Sequence, residues 1–227
     1  MGRPRYLSWR ADAVIVSLED VLLEFSAARR ATWGWWAARV GHDADLIAEA
    51  AQGRHAEEVI REFAPDRDVT RELAAVVERE SILLRTARRG RGAGALIRQL
   101  PSERWAAVSC GTPEELAIRW TRTRLPEPGP LISAADVSWG PPDPESRLAA
   151  AVALGTVPER CIALEGSPAG VAAAAAAGAA AIMVQPGIER DVPPAAQAVV
   201  HSLSALRVQL VQDDITITIR TESPRGW

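Results

Sequence analysis

Hydrophobic and polar positions along the chain fall into blocks with two different periods. Residues 13–18 (AVIVSL) form a short continuous apolar run, the pattern of a strand covered on both faces inside a parallel sheet. From Ser26 to about Leu84 the period becomes helical. Leu46, Ala50 and Ala51 share one face, Val59, Ile60 and Phe63 another, and Leu73, Val76, Val77 and Glu80 follow at the same spacing. Gly41, Gly53 and Pro65 divide this stretch into three or four helices, which predicts a compact helical insertion. Strands and helices then alternate. Helices are predicted over 94–100, 113–123, 143–154 and 169–177, the second opening on Pro113 and the last closed by Gly178. Strands are predicted over 105–109, 131–133, 161–164 and 180–184, with a short one at 199–200. This alternation predicts an α/β fold, a parallel sheet with helices on both faces. Residues 215–220 (ITITIR) alternate with period two and predict a half-exposed edge strand or hairpin. The six alanines at 172–177 are accounted for by helix propensity and close packing.

Composition narrows the function. The length of 227 residues suits one domain, or a core carrying one insertion. All 26 basic residues are arginine, so Schiff-base lysines, P-loop lysines and lysine general bases are excluded. A coding bias from Lys to Arg, matching the abundant alanine, accounts for most of that absence. A net charge of −3 gives no overall basic field for nucleic acid. The basic stretch 85–91 (RTARRGR) reads as a solvated helix end. Cys110 and Cys161 are too few for a disulfide framework and lack zinc spacing. No apolar run follows the charged N-terminus before Asp12, and residues 168–184 are too rich in Ala and Gly for a membrane span. A cytoplasmic protein is expected.

In a parallel α/β sheet, ligands bind beyond the carboxyl ends of the strands. The segments to inspect are therefore 17–20, 109–112, 140–143 and 165–167. Together, WAAVSCGTPEELA, ADVSWGPPDPE and VPERCIALEGSPAGVAAA resemble the haloacid dehalogenase (HAD) superfamily, in its branch with a small helical cap. Within it the chain is most similar to the small phosphosugar and glycerol-phosphate phosphatases of β-phosphoglucomutase type. The resemblance covers nearly the whole chain. It implies a Rossmann-like core, residues 1–24 and 92–227, and a cap, residues 25–91, inserted after the first strand. It also implies an aspartate nucleophile, an aspartate acid/base two residues on, a hydroxyl and a lysine on the phosphoryl group, and acidic residues holding Mg²⁺.

This chain departs from that pattern. The nucleophile position is Ser17, the acid/base position Glu19, and the glycine that usually follows is Asp20. The hydroxyl position, Ser109, is kept. Pro141 replaces the lysine, and Gly166 follows Glu165 where a metal-binding aspartate is expected. A serine hydroxyl without a base is a poor nucleophile, and Mg²⁺ needs protein carboxylates. The expectation is therefore a HAD-like hydrolase homologue without ordinary Mg²⁺-dependent phosphatase activity, a pseudoenzyme with no cofactor and no metal site. Two alternatives stand beside it. One is a metal-independent enzyme using Glu19 as general acid or base. The other is a weak phosphatase, Mg²⁺-dependent, that recruits Asp20 or Arg147 into the vacant places. The catalytic candidates are Glu19, Ser17 and Ser109. The binding candidates are Asp20, Gly53, Arg54, Glu58, Cys110, Gly111, Thr112, Trp139 and Ser167. His55 reads as incidental, Cys110 has no base to activate it, and Trp33, Trp35 and Trp36 read as packing before an aromatic wall. The expected partner is a small molecule, with an anion as one candidate. A protein partner is left open, and neither nucleic acid nor a membrane is expected.

Overall fold

The computed structural model describes residues 5–185, 192–211 and 214–221; the ends of the predicted core range lie outside them. In chain order the elements are β1 (Arg5–Ala11), β2 (Ala13–Ser17), β3 (Leu23–Glu24), α1 (Ser26–Val40), α2 (Ala44–Ala50), α3 (Ala56–Phe63), α4 (Val69–Leu83) and β4 (Arg88–Arg89). There follow α5 (Ala93–Ile97), β5 (Trp105–Val108), α6 (Pro113–Thr123), β6 (Leu131–Ile132), α7 (Glu145–Ala153), β7 (Cys161–Glu165) and α8 (Pro168–Ala177). The last are β8 (Ala180–Val184), β9 (Ala198–Val200), β10 (Leu206–Val211) and β11 (Asp214–Thr221).

Six strands form a parallel sheet in the order β6-β5-β2-β7-β8-β9. Every residue of β2, β5 and β7 is buried, because helices cover both faces and neither parity of the strand sees water. Val14, Val16, Ile162 and Leu164 pack into one apolar cluster, and Ala13, Ile15, Ala106 and Ala163 into the other. The β2–β5 register pairs Ser17 with Val108, so β2 and β5 end level and aim their following loops at one place.

Four helices lie between β3 and β4, which pair as a two-stranded ribbon at their root. They hold an apolar cluster of their own, built on Trp33, Trp36, Ile47, Val59, Ile60 and Val76. Gly41 ends α1 in the left-handed conformation at φ 80°, where glycine carries no Cβ penalty. Trp33 and Trp36 pack edge to face, and Trp36 Nε1 donates to Glu72 Oε2 at 2.9 Å, so these indoles are interior packing.

Two expectations need correction. Residues 215–220 pair antiparallel with β10 as the hairpin alternative expects, but they are not an edge: β11 is the middle strand of a three-stranded antiparallel sheet, β1-β11-β10. The N-terminal strand β1 supplies the unforeseen neighbour, and Ile215, Ile217 and Ile219 enter the core. The basic stretch is a helix end only at Arg85, in the 3-10 turn that continues α4. Arg88 and Arg89 form β4 and stand exposed on the ribbon. Among the described residues no helix is long and apolar enough to cross a membrane.

Candidate functional site

The loops after β2, β5 and β7 meet the start of α3 and the 140–147 segment around a cavity of ≈ 40 Å³. Ser17, Glu19, Asp20, Gly53, Ser109, Cys110 and Ser167 all line it. The structure therefore brings together most of the positions singled out in the sequence. It also adds Arg29, His55 and Arg147.

At the β2–β7 junction, Ser17 Oγ donates to Glu165 Oε2 at 2.5 Å. Arg147, from α7, clamps the same carboxylate with two bonds, Nε to Oε1 at 3.0 Å and Nη2 to Oε2 at 2.6 Å. Nη2 also lies 3.5 Å from Ser17 Oγ, and Nη1 donates to Ser146 Oγ at 2.9 Å. Glu165 is wholly buried and Arg147 nearly so. Such a planar two-bond pair is what keeps both charges tolerable out of water.

Across the cavity, Glu19 Oε1 accepts from Ser109 Oγ at 2.6 Å and from Arg119 Nη1 at 2.8 Å. Arg119, on α6, also donates to Glu80 and Glu115 and lies 4.6 Å over the Phe25 ring. Burial opposes its charge, but Glu80, Glu115 and Glu19 more than compensate and hold its pKa above the ordinary value. Gly111 backs onto this guanidinium, since a Cβ there would meet Arg119 Nη1 at 2.3 Å. Thr112 caps α6 in a reciprocal capping box with Glu115. Both are scaffold to the site and lie outside the cavity lining.

Asp20 is spent locally. Its backbone is left-handed, at φ 63°. Oδ1 accepts from the Phe25 and Ser26 backbone N–H groups and from Ser26 Oγ, and Oδ2 takes the Arg29 guanidinium at 2.5 Å. This carboxylate anchors the start of α1. Ser167 likewise caps α8 through Gly170 N–H at 3.0 Å, with Gly53 so close that a Cβ would meet Ser167 Oγ at 2.5 Å. Arg54 pairs with Glu58 and Glu62 and does not line the cavity. Glu58 instead accepts from Gly140 N–H at 2.7 Å, tying the insertion to the loop before α7. His55 reinforces this contact with its ring against Gly140. Burial outweighs the nearby glutamates and lowers its pKa, which favours the neutral ring. Burial likewise pushes the Cys110 thiol far above its usual range, removing it as a nucleophile. Trp139 is displaced from its expected place: its side chain is 62% exposed and outside the cavity.

The Mg²⁺ that the resemblance implies does not fit these residues. A Cβ on Gly166 would lie 2.7 Å from both the Asp20 Cβ and the Glu19 carbonyl oxygen, so an aspartate there requires the loop to move. The carboxylate that remains, Glu165, already holds a fixed guanidinium. Among the described residues no group of three or more His, Cys, Asp or Glu is arranged to hold a metal ion.

Sequence offered a partial signal for the arginines. Arg147 is within two helical turns of Pro141, but nothing marked Arg119 or the buried Glu80 as its partner across 39 residues.

No family profile matches the chain. It is 28% identical over 205 residues to hexitol phosphatase A of Escherichia coli, covering 88% of this chain and 94% of that one. It is 26% identical over 205 residues to 2-deoxyglucose-6-phosphate phosphatase 1 of Saccharomyces cerevisiae, covering 80% and 83%. The solved β-phosphoglucomutase of Clostridium difficile superposes with a TM-score of 0.75 at 17% identity, covering 87% and 93%. The chain is thus similar over most of its length to two phosphatases, and its fold is similar to that of a β-phosphoglucomutase.

Proposed function

We propose that this chain is a HAD-type hydrolase homologue that no longer performs Mg²⁺-dependent phosphoryl transfer and acts by binding a small ligand or protein partner at the crevice under its cap. The observation that carries the reading is the Arg147 clamp on Glu165 beside Ser17. A permanent cation sits beside the direct Ser17–Glu165 bond, paired with the acid that ends β7. The Ser17 and Ser109 hydroxyl protons are both committed to carboxylates, so neither is free to grip a phosphoryl oxygen. A cytoplasmic location fits the same reading.

A second reading, a weak phosphosugar phosphatase, is favoured by the two phosphatase relatives. One assay separates them. Purified protein is offered hexitol phosphates and 2-deoxyglucose 6-phosphate with Mg²⁺ or EDTA, and thermal unfolding is followed under the same conditions. The proposal expects no phosphate release and no Mg²⁺-dependent rise in Tm. Turnover that needs Mg²⁺ and disappears in Ser17→Ala overturns it. Turnover that survives EDTA and disappears in Glu19→Gln points instead to metal-independent acid–base chemistry.

A further inference from the structure

The Arg119 cluster joins regions that the Arg147 cluster does not. α6 supplies Arg119 and Glu115, the loop after β2 supplies Glu19, and α4 of the insertion supplies Glu80. Arg119 Nε and Nη2 reach Glu80 Oε1 at 2.9 and 2.5 Å, and Nη2 reaches Glu115 Oε1 at 3.0 Å. With the Glu19 bond, three carboxylates surround one guanidinium, and no side chain in the set is more than 10% exposed. The excess negative charge lies where water screens it poorly.

We propose that this contact is a proton-operated latch: the insertion stays closed over the crevice while the Glu80–Glu115–Glu19 set holds a proton, and loosens when that proton leaves. Two further facts support a latch. The cavity beneath is small, at ≈ 40 Å³, so movement of the insertion would change what it admits. On the other side the insertion meets the core through the Glu58–Gly140 N–H bond, the His55 ring against Gly140 and the close approach of Gly53 to Ser167, with no ion pair among them. Burial pushes the Glu80 carboxyl up to about 7, with Arg119 opposing and Glu115 and Glu19 reinforcing. Cys110 also faces the cluster, and its thiol stays neutral.

The sign follows from linkage. A released, solvated Glu80 returns to its ordinary value of 4.5, so the closed state binds more protons. Closure is fully favoured below pH 4.5 and is lost as pH rises through about 7. The latch does not depend on the proposed loss of turnover and would operate equally in an active phosphatase.

Hydrogen exchange of the full chain at pH 5.5 and 8, corrected for intrinsic amide rates, tests it. Protection in α4 and α6 should fall roughly tenfold at the higher pH. Glu80→Gln should hold high protection at both. Absence of the fall in the parent, or an unchanged fall in Glu80→Gln, overturns the latch. Should Glu80→Gln fail to fold, Glu115→Gln removes one repelling charge and should move the transition to lower pH; an unmoved midpoint is equally fatal.

Discussion

Two buried arginines on opposite sides of one cavity solve different charge problems. Arg147 meets one carboxylate, Glu165, through two bonds, and both come from the layers of the parallel sheet. Arg119 meets three carboxylates, one of them from the helical insertion. The first cluster is charge-neutral and self-contained, and under the proposed function it takes the place of a removable cation. The second carries surplus negative charge across a junction between parts of the chain. A balanced pair freezes a site, whereas an unbalanced one leaves it responsive to protons and to movement.

The comparison breaks most visibly if the cations are removed. Arg119→Met leaves three buried carboxylates without a counterion and should lower unfolding free energy by about 3–5 kcal/mol, read from urea midpoints. Arg147→Met strands a single buried carboxylate and should cost about 3 kcal/mol. The decisive arm is rescue. Glu165→Gln added to Arg147→Met neutralises the whole defect and should restore more than half the loss. No single Glu→Gln does this for Arg119→Met, because two charges remain. Equal rescue at both sites would show that the two clusters are alike after all.

Sequence carried the sheet and the helix boundaries well, and the reasons are local. Gly41, Gly53 and Pro65 interrupt the insertion, Pro113 and Thr112 open α6, and Gly178 closes α8. The glycines and prolines act through their own backbones, and Thr112 through its side-chain cap on the Glu115 N–H. The carboxyl-end loops were legible from the fold, which is why Ser17, Glu19, Ser109 and Ser167 converge where expected. The partnerships were not. Glu80 sits on an apolar helical stripe, a sign of burial, but its partner lies 39 residues away on another element. Asp20 is a ligand candidate by its place in the loop, yet its left-handed backbone turns it onto the start of α1. For residues 215–220 the alternating pattern allows an edge strand or a hairpin, because it records which face is buried, not how many neighbours the strand has; the pairing with β10 is the hairpin and β1 is the extra neighbour.

A smaller effect sharpens the view of Arg147 as the metal's replacement. If the metal site were lost only through missing ligands, restoring them would revive it. In Ser17→Asp/Gly166→Asp, the new carboxylate at 166 must displace the Glu19–Asp20 loop, and that at 17 faces Glu165. The double variant should lose about 1–3 kcal/mol and show no Mg²⁺-dependent change in Tm. A clear Mg²⁺ response would mean that the loop yields easily and that Arg147 does not hold the place.

The smallest expected effect concerns the loop that links the two clusters' surroundings. Trp139 precedes Gly140, whose N–H meets Glu58, and its own N–H donates to Glu145 Oε2 at 3.1 Å. Both bonds use backbone donors, while the indole is largely solvated. Trp139→Ala should therefore change stability by less than about 0.5 kcal/mol and leave α3 exchange protection intact. Glu58→Gln keeps an acceptor for Gly140 and should be similarly mild, whereas Glu58→Ala should loosen α3. A large loss in Trp139→Ala would place the indole, not the backbone, in charge of holding the insertion on that side.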